Sequence, residues 1–172
     1  MRVLLAAVNA KYIHTALAVR TLAAYVNNKD VSYAEFTINE RLEDVLKSIY
    51  EYHADTVMFS CYIWNIEFIL KTAASLKKLS PRTKIVFGGP EVSFDSRYYM
   101  DKYDFIDGII CGEGEETLAE FLEKGFEVNG MVFRDGEKIT VMPVRKPICD
   151  LNSVSFPYSD EDISRDKDKL IY

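Results

Sequence analysis

The sequence predicts an α/β fold: a five-stranded parallel sheet in the flavodoxin-like (Rossmann-type) order 2-1-3-4-5, helices on both faces, then a C-terminal β-hairpin and an extended linker. Three observations predict it. Apolar, strand-like runs alternate five times with segments of helical periodicity, which gives parallel strands joined by right-handed crossovers. The first run is continuously apolar, as in a strand covered on both faces, whereas the second alternates and so belongs at or near an edge. Asp135-Gly136 lies between two short apolar runs, a strong hairpin signal.

Val3–Val8 is the first strand, and residues 9–14 form a polar-aromatic loop. Residues 15–27 read as a helix with Ala16, Val19, Ala23 and Val26 on one face. Residues 32–38 alternate Tyr33, Glu35 and Thr37 with Ala34, Phe36 and Ile38. Asn39 is a candidate cap for a helix striped by Leu42, Val45, Leu46 and Ile49. Residues 55–62 are the third strand, and Asn65 is a candidate cap for a helix that stops at Ser80-Pro81. Ile85-Val86-Phe87 is the fourth strand and runs into Gly88-Gly89-Pro90; a weaker helix follows through Tyr98–Tyr103. The fifth strand runs to Cys111 and into Gly112-Glu113-Gly114, before a helix with Leu118, Phe121 and Leu122 inward. Residues 130–134 and 138–142 form the hairpin. Beyond it, Pro143, Pro147 and Pro157 punctuate a linker, and the charged tail at 159–169 reads as solvated. The expected division is 1–127 for the α/β domain, 128–145 for the hairpin and 146–172 for the linker.

The chain has 172 residues, 48% of them apolar, enough for a sizeable core. A net charge of −6 argues against nucleic acid as a partner. No apolar run approaches the ~20 residues that span a bilayer, so no membrane partner is expected. The apolar start reads as a first strand, not a signal peptide. Three widely spaced cysteines suit reduced thiols in a cytoplasmic protein. Cys61 and Cys111, at strand ends, read as small buried hydrophobes. Lys77, Lys78, Arg82 and Lys84 read as a solvated basic face.

In this fold, function lies in the loops after the strands. The loop after the first strand has no glycine and only His14 and Asn9 among its polar side chains besides Lys11 and Tyr12, which does not suit a flavin phosphate. Asn9 and Ser60-Cys61 stand where a phospho-receiver needs acids. Gly112-Glu113-Gly114 follows the fifth strand, whereas a dinucleotide fingerprint follows the first. Two glycine turns on one edge, beside Ser60 and the only Trp, instead make a backbone-lined shelf for a large, flat, partly apolar ligand.

Residues 59–65 (Phe-Ser-Cys-Tyr-Ile-Trp-Asn), 87–91 (Phe-Gly-Gly-Pro-Glu) and 111–115 (Cys-Gly-Glu-Gly-Glu) resemble the cobalamin-binding N-terminal domain of cobalamin-dependent radical SAM enzymes. That family includes the anaerobic magnesium-protoporphyrin IX monomethyl ester cyclase and assorted methyltransferases. The resemblance covers roughly residues 1–145, and the linker is similar to the segment that leads there into the radical SAM barrel. It implies a corrin over the C-terminal strand ends and a nucleotide tail in a slot between the first strand's loop, at Asn9, and the third and fourth strands. Ser60 would face the tail, and Gly88 and Gly89, followed by Pro90 and Glu91, would let it pass the backbone. Gly112, Glu113 and Gly114 would flank the corrin, with Tyr62, Trp64 and Asn65 at the rim. Gly89→Val would then abolish binding and leave the fold intact.

Two departures bound these implications. Family members that supply a histidine to cobalt carry Asp-x-His-x-x-Gly after the first strand. Here Tyr12 and Leu17 replace the Asp and the Gly around His14, which therefore reads as a helix-start residue before it reads as a cobalt ligand. Cys61, Cys111 and Cys149 are too far apart to be the CxxxCxxC that holds an iron–sulfur cluster. The expectation is a cobalamin domain of a longer enzyme that catalyses methyl transfer or tetrapyrrole-type ring chemistry. The iron–sulfur cluster and S-adenosylmethionine would lie in a further, C-terminal domain. The alternative is a non-catalytic α/β scaffold that has lost the cofactor.

Overall fold

The computed structural model describes residues 1–12 and 14–169; Ile13 of the first loop and Leu170–Tyr172 of the charged end lie outside the described residues. The elements are β1 (Val3–Asn9), α1 (Leu17–Val26), β2 (Val31–Thr37), α2 (Leu42–Glu51), β3 (Thr56–Ser60), α3 (Ile66–Leu79), β4 (Lys84–Gly88), α4 (Pro90–Ser93), α5 (Ser96–Lys102), β5 (Gly108–Ile110), α6 (Glu115–Lys124), β6 (Met131–Asp135), β7 (Lys138–Val141) and α7 (Asp160–Arg165). The sheet order is β2-β1-β3-β4-β5-β6-β7. The first five strands are parallel in the expected order.

The alternation of side chains along β1 explains the layering. Leu4, Ala6 and Val8 face one core with Val45, Ile49, Ile69 and Leu76 of α2 and α3. Val3, Leu5 and Ala7 face the other, with Val19 of α1 and Leu118 and Phe121 of α6. Phe59 and Phe87 meet edge to face in the first core, their centroids 5.8 Å apart. The alternating second strand does lie at the edge of the sheet.

The structure departs from the sequence reading in several places. The hairpin continues the sheet, because β6 pairs antiparallel with β5 and β7 with β6. β5 is shorter than its apolar run, since Asp107 ends the ladder: its carboxylate accepts from the Ile85 amide at 2.8 Å. The same carboxylate draws in Lys77 and Lys84 at 2.7 and 3.1 Å, so part of the basic face is paired. Asn39 caps nothing; Arg41 precedes α2 without a side-chain cap bond. The tail is not simply solvated. Tyr158 and Asp166 are buried, and Ser159 with Asp162 forms a capping box that starts α7.

Candidate functional site

Strand order reverses between β1 and β3, and the crevice outside the strand ends at such a point is where open α/β sheets bind ligands. Two adjoining cavities lie there. The first, about 440 Å³, is bounded by the end of β1, by residues 14–18 leading into α1, and by Ser60, Tyr62, Trp64 and Asn65 after β3. The second, about 200 Å³, has Leu5, Val19 and Met58 in its wall, with Gly88, Gly89, Gly112, Glu113 and Gly114. Ala18, Ser60 and Tyr62 line both.

Hydrogen bonds and ring stacking hold the walls together. Asn65 is 1% exposed, and both its amide hydrogens are used, on the carbonyls of Val8 (2.9 Å) and Ser60 (3.0 Å). Its Oδ1 accepts from the Tyr62 amide at 2.8 Å. It therefore stitches the end of β1 to the loop after β3, and is a buried staple where the sequence reading placed a rim contact. Tyr62 and Trp64 stack with centroids 4.4 Å apart and planes 11° apart, and Trp64 stays half exposed, a flat aromatic rim. Asn9 donates to the His14 carbonyl and to Glu35 Oε2, both at 3.0 Å, and so closes the first loop on itself.

The two glycine turns differ. A Cβ on Gly89 would stand 2.5 Å from the Cys61 carbonyl oxygen, and its φ is +104°. The Cys61 amide also donates to the Gly88 carbonyl at 2.7 Å. The turns after β3 and β4 are thus in backbone contact, and Gly89→Val cannot leave the fold intact as expected. A Cβ on Gly88 would meet Ile110 Cβ at 3.6 Å, an ordinary contact inside the second cavity. Gly112, at φ +82°, has nothing within 4 Å of where a Cβ would project.

Among the twelve residues singled out for the cofactor, Asn9, Ser60, Tyr62, Trp64, Asn65, Gly88, Gly89, Gly112, Glu113 and Gly114 come together around these cavities. Pro90 and Glu91 line neither: Pro90 begins α4, and Glu91 accepts a 3.1 Å bond from the Tyr99 hydroxyl. His14 borders the first cavity. Among the described residues no group of three or more His, Cys, Asp or Glu side chains is placed to hold a metal ion. Cys61 is fully buried, and burial pushes its thiol well up; Cys111 is half-buried and shifted the same way, while Cys149 is exposed. Sequence reading missed Ala7, Ala16 and Ala18, whose small side chains leave the cavity its room. The signal was a cluster of alanines on either side of the first loop. No helix among the described residues is long and apolar enough to cross a membrane.

Comparison with known proteins identifies a family and a shared fold. The B12-binding domain family matches residues 3–122. The chain is 30% identical over 111 residues to the cobalamin-dependent radical SAM methyltransferase TokK of Streptomyces tokunonensis, covering 60% of this chain and 16% of that protein. It is 27% identical over 129 residues to the anaerobic magnesium-protoporphyrin IX monomethyl ester cyclase of Cereibacter sphaeroides, covering 70% of this chain and 21% of the relative. In fold it is similar to the cobalamin-dependent S-adenosylmethionine radical enzyme OxsB, solved with aqua-cobalamin and S-adenosylmethionine bound. There the TM-score is 0.75 at 17% identity, over 96% of this chain and 25% of that one. The chain thus spans a quarter or less of each of these three proteins.

Proposed function

From the premise that this chain belongs to the B12-binding domain family, we propose that it seats cobalamin at the paired cavities and serves a radical SAM domain elsewhere in a longer enzyme. The corrin would lie over the ends of β3, β4 and β5, against the Tyr62–Trp64 stack and Gly112–Gly114. The nucleotide tail would enter between Asn9, Ser60 and Gly88. The carrying observation is the pair of cavities meeting at Ser60 and Tyr62 at the switch point, the larger within the range of small-molecule sites.

The residues fit such a group on their own geometry. Gly112 presents bare backbone with open space beyond it, so a flat macrocycle can approach closely. The second cavity is lined largely by apolar side chains, among them Leu5, Val19, Leu22 and Met58, and by glycine backbone, a setting that suits a tail sheltered from water. Ser60 and Tyr62 put hydroxyl-bearing residues where the two spaces join. When bound, the cofactor supplies the methyl-carrying or redox-active centre. This chain binds it, orients it and shields it from solvent. The iron–sulfur cluster and S-adenosylmethionine belong to the further domain, and methyl transfer is the reaction class that the likeness to the methyltransferase TokK favours over ring closure.

The test is a visible-absorbance titration of hydroxocobalamin with the 172-residue chain. A saturable spectral shift at micromolar protein is the expected result. An unchanged spectrum at high micromolar concentrations of both would sink the reading for this domain.

A further inference from the structure

Arg20 lies on the inner side of α1 with 3% of its side chain exposed, an unusual place for a cation. Its Nε donates to Glu35 Oε1 on the edge strand at 2.5 Å. Its Nη2 donates at 2.8 Å to Asp166 Oδ2, just beyond α7, and its Nη1 is 3.6 Å from Asp162 Oδ1. The rings of Tyr33 and Tyr158 flank the guanidinium, 5.5 and 5.1 Å from Cζ. Arg165 and Lys169 also reach Asp166, at 3.0 and 3.1 Å. Three cations therefore meet three carboxylates, which is how such charge is tolerated inside.

This cluster does not end in itself. Glu35 Oε2 accepts from the Ala16 amide at 2.7 Å and from Asn9 Nδ2 at 3.0 Å. Asn9 and Ala16 both border the larger cavity. An unbroken path thus runs from the cavity loop through Glu35 and Arg20 to Asp166. A second tie runs beside it: Thr15 Oγ1 and the Tyr158 hydroxyl are 2.9 Å apart, and both residues are buried. The same C-terminal segment is also anchored upstream. Arg145 pairs with Glu116 at 3.0 Å and Glu120 at 3.1 Å, and the Ile148 amide donates at 2.6 Å to Glu113, which borders the smaller cavity.

We propose that residues 158–169 are a clasp that sets the shape of the cavity loop, with Glu35 and Arg20 as positioning residues acting through Asn9 and Ala16. The cofactor-facing part of this inference rests on the cobalamin reading; the loop-facing part does not. A docked clasp holds Glu35 where it bonds Asn9 and Ala16, and an undocked one frees Arg20 to pull Glu35 toward solvent. Because coupling between two sites is reciprocal, filling the cavity must also strengthen the docking of the segment that leads out of the domain. The bistable element is the clasp, which has its own capped helix and is held by polar and ionic contacts at its two ends.

Amide hydrogen exchange of the full 172-residue chain tests it, comparing wild type with Asp166→Asn, which keeps size and removes charge. The Ala16 amide should exchange about tenfold faster in the variant, within the range seen for coupled sites, while the β3 and β4 amides stay protected. The hydroxocobalamin dissociation constant should rise by about the same factor. Saturating hydroxocobalamin should slow exchange across 160–166 in the wild type, and not in the variant. Unchanged exchange at Ala16 overturns the clasp. Faster exchange with unaltered affinity overturns its link to the site. If Asp166→Asn does not fold, Tyr158→Phe, which loses only the hydroxyl tie to Thr15, must still loosen Ala16 for the proposal to stand. A wild-type chain that ignores hydroxocobalamin defeats the cofactor reading, and the exchange result then decides the clasp alone.

Discussion

The two glycine turns at the strand ends look alike in sequence and do different work in the structure. After β4, Gly89 lies against the Cys61 carbonyl with no room for a Cβ, and the acid that follows, Glu91, is bonded within the domain to Tyr99. After β5, Gly112 faces open space, and its acid, Glu113, is bonded to the C-terminal segment at Ile148. The first turn is architecture: it zips two strand ends together. The second leaves the Gly112 backbone bare, while its neighbour Glu113 ties it to Ile148 of the C-terminal segment. A glycine at a strand end therefore reports a need for small size without saying whether a neighbour or a ligand creates it.

The largest effect separating them should come from Gly89→Ala. The substitution combines a left-handed φ with a 2.5 Å approach to a backbone oxygen that cannot rotate away. It should cost at least about 3 kcal/mol, read as a fall in the urea midpoint with the slope unchanged. A loss below about 1 kcal/mol would mean that the β3 and β4 turns are not in contact.

The next effect concerns the lock behind the first turn. Burial, and then the hydrogen bond to Glu91, push the Tyr99 phenol up to about 12. The folded state thus favours the neutral phenol. That contribution is complete below the ordinary tyrosine value of about 10 and disappears as pH rises through about 12. Phenolate absorbance should show one tyrosine ionising late, and stability should fall over that interval in wild type but not in Tyr99→Phe. No late tyrosine in wild type would break the assignment of Glu91 to architecture.

Much of this was legible in the chain because it is local. The unbroken apolar run of β1, the alternation of β2 and the Asp135-Gly136 turn each carry their period or turn chemistry in a few adjacent residues. The order of the five parallel strands followed from them, and so did the sheet edge at which the two cavities lie. What was not legible is set by partners distant in sequence. Asn65 reads as a helix cap or rim residue until Val8, 57 positions away, takes its amide hydrogen. Nothing local in the sequence singles out Arg20, which Glu35, 15 positions away, and Asp166, 146 positions away, bury from two directions. Pro90 and Glu91 were drawn into the site by adjacency to glycines, although a helix starting at Pro90 turns them away. Gly89 was assigned to a ligand slot because no local pattern announces a carbonyl from another strand.

For the second turn, Gly112→Ala tests conformation without collision. The residue sits at φ +82° with no atom in the way of a Cβ, so only backbone strain remains. The cost should be about 1–2 kcal/mol, a fall of a few degrees in Tm for a chain of this size. A cost equal to that of Gly89→Ala would erase the distinction between a turn packed against the chain and one facing open space.

Gly88→Ala has the smallest effect on stability and asks the sharpest question about the site. Its φ is unstrained and its Cβ would meet Ile110 at an ordinary 3.6 Å, so stability should change by no more than about 0.5 kcal/mol. The added methyl nevertheless enters the wall of the smaller cavity, where the proposed nucleotide tail would pass. Hydroxocobalamin affinity should fall about tenfold, the equivalent of about 1.4 kcal/mol. Normal stability with weakened binding would mark Gly88 as the ligand-facing glycine of the first turn, with Gly89 beside it as the architectural one. Unchanged affinity would show that the tail does not run past β4. The larger cavity, between β1, α1 and the Ser60–Asn65 loop, would then have to hold it alone.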